Sequence, residues 1–138
     1  MLSWIEINGE RLRANIDAFK TLIAPGTAMM AVVKANAYGH GLETVTSVIA
    51  EHVDWFGVNC IDEALAITGF GLQKPIAILG HTPVEQLEHV VRNGYRQVLY
   101  RLDVAGALSA SAQKLKTTAK VHLKIETGTN RQGRAKSG

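Results

Sequence analysis

The chain has 138 residues, 46% of them hydrophobic and 20% charged, with a formal net charge of +3. That is enough apolar material for a core, it excludes wholesale disorder, and the small, scattered basic excess excludes a nucleic-acid footprint. The single cysteine, Cys60, leaves no internal disulfide and fits a reducing cytoplasm.

The opening MLSWIEINGE lacks the basic-then-apolar pattern of a signal peptide. The longest apolar run, Ala28 to Val33, is too short to span a membrane. A soluble cytoplasmic protein is expected.

In chain order, Ser3 to Ile7 is short and β-prone. RLRANIDAFKTLI follows, with Leu12, Ile16, Phe19 and Ile23 on one helical face, and Pro25-Gly26 stops it. AMMAVV reads as a strand buried on both faces. Glu43 to His52 is a helix, Trp55 to Asn59 a strand, Asp62 to Thr68 a helix, and Pro75 to Gly80 another buried strand. Thr82, Pro83 and Glu85 then make a capping box with a first-turn proline for a helix that carries Leu87, Val90 and Val91 and stops near Gly94. A strand at Gln97 to Tyr100, a helix at Asp103 to Lys116 and a strand at Lys120 to Glu126 complete the pattern.

Strands alternating with helices imply βαβ units and a parallel sheet. An open doubly wound sheet and a closed eight-stranded barrel both satisfy that. A full barrel takes ~250 residues, so from Ala28 this chain holds little over half of one. In the last strand Val121, Leu123 and Ile125 alternate with His122, Lys124 and Glu126. In a barrel the apolar set packs on helices and the ionisable set points inward, where it needs partners or a ligand. On an open edge strand the same set would face water.

Lys34 directly follows the first buried strand, in AVVKANAYGHG. Strand C-terminal ends carry the active site in parallel α/β folds. A lysine desolvated there by Met30, Val32 and Val33 has a neutral amine available for a Schiff base; a strand-end lysine that snorkels to solvent is the plainer reading. Gly39-His40-Gly41 gives two glycines of a nucleotide fingerprint, but Thr44 stands where the third would be.

AVVKANAYGHG closely resembles the cofactor-lysine motif of bacterial alanine racemases. SWIEINGERLRANI, with Arg13 and Asn15, resembles the opening strand and helix of that family, and VHLKIETGTNRQG its fifth-strand motif. The resemblance implies an α/β fold, a (β/α)8 TIM-type barrel of which about the first five strands lie within residues 1–133, with residues 1–9 as a leading strand segment. It also implies a separate C-terminal β domain beyond these strands, pyridoxal 5'-phosphate as cofactor, alanine as substrate for D-alanine supply to the cell wall, and a homodimer.

On that resemblance Lys34 matches the lysine that forms the Schiff base and acts as one of two bases. Tyr38 matches the tyrosine on the cofactor phosphate. Arg131 matches the arginine that helps to hold the substrate carboxylate, and Lys124 a lysine often carbamylated to position that arginine. The second base in the family is a tyrosine from the partner subunit's C-terminal domain. Residues 134–138, RAKSG, resemble neither the family nor a helix start, and little racemase activity is expected of these 138 residues alone. Other readings are a serine or other amino-acid racemase of the same fold, a non-catalytic pyridoxal-phosphate carrier, a dinucleotide-binding module and a remnant without function. Cys60 and His81 carry no assignment.

Overall fold

A computed structural model describes residues 3–133. The elements in chain order are α1 (Gly9–Lys20), β1 (Met30–Val32), α2 (Lys34–Tyr38), α3 (Leu42–Ile49), a 3-10 turn (Ala50–His52), β2 (Trp55–Val58) and α4 (Ile61–Gly69). After them come β3 (Ile76–Ile78), a 3-10 turn (Val84–Gln86), α5 (Leu87–Arg92), β4 (Arg96–Leu99), α6 (Leu102–Lys114) and β5 (Lys120–Leu123). The five strands form one sheet in the order β1-β2-β3-β4-β5, every neighbouring pair parallel. Consecutive strands sit side by side, without the reversal of order that marks a doubly wound sheet. The architecture is a partial TIM-type barrel.

The core lies between the sheet and its helices. Phe56 and Val58 of β2 and Ile76 and Ile78 of β3 are buried against Ile61, Ile67, Leu87, Val90 and Leu108 from the helices. Each such fully buried side chain stabilises the fold by about 1.5–3 kcal/mol. The alternate residues form the concave face. There a Cβ on Gly57 would meet Met30 Sδ at 3.0 Å and both Leu79 and Val32 at 3.3 Å. On the same face the Arg96 guanidinium lies 4.1 Å above the Trp55 ring, and His122 approaches that ring with centroids 6.1 Å apart. His122 of β5 therefore points to the concave side, as the barrel reading required.

Five sequence expectations need correction. The run AMMAVV is not a strand buried on both faces: the strand is Met30–Val32, at an edge of the described sheet, and Val32 is exposed. Ser3–Ile7 forms no strand: Trp4 and Ile5 are largely exposed, and no described strand pairs with the segment. The first helix is Gly9–Lys20, and Phe19 faces solvent while Leu12 and Ile16 pack on the core. Asn8 caps that helix, its Oδ1 accepting from Arg11 N at 2.9 Å, which fixes the start two residues before Arg11.

The Thr82 capping box does not form either. Thr82 is buried, its hydroxyl donates to Gln97 Oε1 at 2.7 Å, and Pro83 is extended. A buried amide on β4 competes for the hydroxyl and wins, so the chain enters α5 through a 3-10 turn. Finally, Val121, Leu123 and Ile125 are exposed, Val121 at the border of an open cleft beside α6. Arg134–Gly138, expected to depart from the family pattern, lie outside the described residues.

Candidate functional site

The site begins where β1 ends. Lys34 opens α2, and from Ala35 to Tyr38 the chain is left-handed: φ and ψ are 52° and 53° at Ala35, 55° and 46° at Asn36, and 52° and 48° at Ala37, with φ 56° at Tyr38. For L-residues this conformation costs about 1–2 kcal/mol each and persists only where the surroundings over-determine it.

Several contacts do so. Ala37 N donates to Val33 O at 2.9 Å and Gly41 N to Asn36 O at 3.0 Å. The Asn36 side chain accepts from Leu42 N at 2.7 Å, and His40 Nδ1 lies 2.9 Å from Ala37 O. Ala37 is buried beneath the turn. Gly39 and Gly41, at φ 86° and 97°, carry the chain out of it in backbone regions that favour glycine.

One contact comes from elsewhere in the chain. Glu63 Oε1 accepts from Ala35 N at 2.6 Å, while Oε2 accepts from Asn59 N at 2.7 Å and Cys60 N at 3.4 Å. Glu63 and Cys60 thereby close a capping box at the start of α4. Sequence reasoning missed it because Cys is not among the residues that usually cap helices.

At the C-terminal ends of the strands is an open cavity of about 430 Å³. Lys34, Lys124 and Arg131 line it together, beside Asn59, Leu79, Gly80, Val98 and Gln132. Gly80 is needed for the close approach of the strand ends: a Cβ there would lie 2.4 Å from Asn59 O. Three cationic side chains share this cavity, and among the described residues no carboxylate lines it, so the arrangement suits an anionic ligand or a modification that supplies negative charge. Gln132 Nε2 reaches Tyr100 Oη at 3.4 Å.

Arg131 sits on the loop after β5, and Glu126 holds that loop. Its Oε1 accepts from Gly128 N at 2.6 Å and Asn130 N at 2.9 Å. These amides, Asn130 first, hold the Glu126 carboxyl below its ordinary value. Glu126 thus finds its partners in its own loop.

Of the four residues singled out in the sequence, Lys34, Lys124 and Arg131 converge. Tyr38 does not join them. It is exposed and lines a separate, more apolar cleft of about 470 Å³ with Leu12, Ile16, Val33 and Val45. His81 lines only a small crevice with Gln97 and Tyr100.

A row of parallel βα units thus places an amine and two further cations at the strand ends, where α/β barrels carry their active sites. The chain belongs to the family described as "Alanine racemase, N-terminal domain", which it matches over residues 7–137. It is 39% identical over 131 residues to the alanine racemase of Desulfovibrio desulfuricans, covering 94% of this chain and 35% of that protein. The solved alanine racemase of Clostridium difficile 630 superposes with a TM-score of 0.92 at 33% identity, covering 97% of this chain and 36% of the other. A histidine racemase from Leuconostoc mesenteroides superposes with a TM-score of 0.83 at 28% identity over 94% of this chain and 34% of its own. The chain therefore spans about a third of the length of these relatives. Among the described residues no helix is long and apolar enough to cross a membrane.

Proposed function

We propose that a protein carrying this chain interconverts the enantiomers of alanine with pyridoxal phosphate, and that Lys34 is its cofactor lysine. The observation that carries this reading is the convergence of Lys34, Lys124 and Arg131 on one cavity, in a chain of the alanine racemase family.

The residues fit the cofactor's chemistry. Lys34 offers an amine to an aldehyde, and the cavity's other cations suit its phosphate or a substrate carboxylate. Tyr38, four residues beyond Lys34 but lining the separate cleft beside α1, is assigned to the phosphate on the family resemblance. When bound, pyridoxal phosphate supplies an electron sink for the charge left on the α-carbon.

Lys34 Nζ takes or returns the α-proton on one face. Arg131 binds the substrate carboxylate through its planar fork of N–H donors. Lys124, as a carbamate, is an anion that pairs with Arg131 and holds it in place. Proton exchange on the opposite face needs a second base, assigned to the partner subunit of a homodimer.

The test is an intact mass after pyridoxal phosphate and borohydride, with the adduct mapped. A phosphopyridoxyl group on Lys34 is the expected result, and an adduct spread over surface lysines sinks the assignment. Labelled bicarbonate followed by NMR tests Lys124, where a carbamate signal that disappears in Lys124→Ala is expected. A second reading, racemisation of a different amino acid, is favoured by the likeness to a histidine racemase. Turnover of alanine against serine and histidine by a protein carrying this chain separates the two readings.

A further inference from the structure

We propose that Glu63 is a positioning residue that aims Lys34 into the cavity. The proposal rests on the reading of Lys34 as the reacting amine. A glutamate at the third position of a helix ordinarily reaches back to the N-cap amide and does nothing else. Here that bond, to Cys60 N, is the weakest of three at 3.4 Å. The short bonds go to Asn59 N at 2.7 Å and to Ala35 N at 2.6 Å, the latter 28 residues earlier in the chain.

Both targets matter to the site. The Ala35 N–H belongs to the Lys34–Ala35 peptide, so holding it fixes the plane of that peptide and with it the backbone from which the Lys34 side chain leaves. Asn59 lines the same cavity as Lys34. One carboxylate thus ties the start of α2, which follows β1, to the residue that follows β2. Among the described residues, Glu63 is also the one side chain from outside residues 33–42 that bonds the backbone of the left-handed turn. A turn held against its own conformational preference, with the reacting residue immediately before it, needs such an external tie.

Backbone amide exchange, read residue by residue by mass spectrometry on a protein carrying this chain and on its Glu63→Gln variant, tests the tie. The amide keeps the side chain's shape but replaces one acceptor oxygen with a donor that faces an N–H. The expected result is about tenfold faster exchange at Ala35 or Asn59, or both, with the interior amides of α4 within about twofold of wild type. Trace acetylation then reads the aim: the rate at Lys34 relative to exposed Lys116 is expected to change by about threefold or more, since an amine's reactivity follows its surroundings.

Uniform loosening of α4 with Ala35 unchanged would reduce Glu63 to a helix cap and overturn the proposal, as would an unchanged acetylation ratio beside a loosened Ala35. If Glu63→Gln does not fold, Glu63→Asp serves. It keeps an acid in the first turn of α4 but is one methylene too short to hold both loops, and the same two losses are expected. Neither readout uses the cofactor. Failure of borohydride trapping at Lys34 in the wild type therefore counts against the functional reading, and failure of the exchange and acetylation tests counts against the role of Glu63.

Discussion

Glu126 ends the alternation of the fifth strand, and its carboxylate is turned back on the loop that carries Arg131. The sequence showed three ionisable side chains on one face of that strand and, through the family resemblance, offered a partner only for Lys124. His122 meets Trp55, Lys124 joins Lys34, and Glu126 accepts from the amides of Gly128 and Asn130. Its folded pKa lies below 4.5, so the unfolded loop holds its proton more tightly than the folded one. The loop's stabilisation is therefore fully present above the ordinary carboxylate range and is lost as pH falls from 4.5 through the lowered folded value. The amide resonances of Gly128 and Asn130 are expected to move together in that window and to lose the movement in Glu126→Gln. Movement at neutral pH, or movement of one without the other, counts against a shared carboxylate. Arg131 was legible only through its motif, because periodicity says nothing about a loop residue placed by backbone amides.

At the scale of elements, the strands and helices were readable because each buries one face, and burial writes a period into the sequence. The left-handed α2 was not readable. Ala35, Ala37 and Tyr38 carry no preference for positive φ, and the contact with Glu63 that helps to hold them comes from a different βα unit. The Thr82 box failed for a related reason: a local cap signal was outbid by a partner on another strand. That buried pair sets a cost. Thr82→Val leaves Gln97 Oε1 without its donor in the core, and a loss of about 1–3 kcal/mol is expected as a lower urea midpoint at unchanged slope. Gly80→Ala puts a methyl 2.4 Å from Asn59 O, at the seam between β2 and β3. Overpacking of about 1–3 kcal/mol is expected there, together with shifted resonances at Asn59. An unshifted midpoint would mean that the two strand ends are free to separate.

At the scale of the whole molecule, the parallel sheet was legible from alternation, and the placement of Lys34 at a strand end followed from it; the consecutive strand order was not, because a doubly wound sheet and a barrel share that alternation. The exposed faces were not, since a strand's pattern shows what it can bury and not what covers it. β1 and β5 each have one neighbour in the described sheet. Val32 is 38% exposed, and along β5 and its continuation Val121, Leu123 and Ile125 are 41%, 64% and 52% exposed. Unpaired edges beside bare apolar side chains template pairing between chains. The isolated 138-residue polypeptide is expected to self-associate at micromolar concentration in sedimentation velocity. Leu123→Lys with Ile125→Lys places charge on that face while leaving Lys124 and its cavity alone, and it is expected to shift the distribution toward monomer. A wild-type chain that stays monomeric to high concentration means that the edges are protected without a further partner. Association unchanged by the two lysines moves the contact to the β1 edge, where the exposed Val32 and the apolar cleft beside α1 adjoin it.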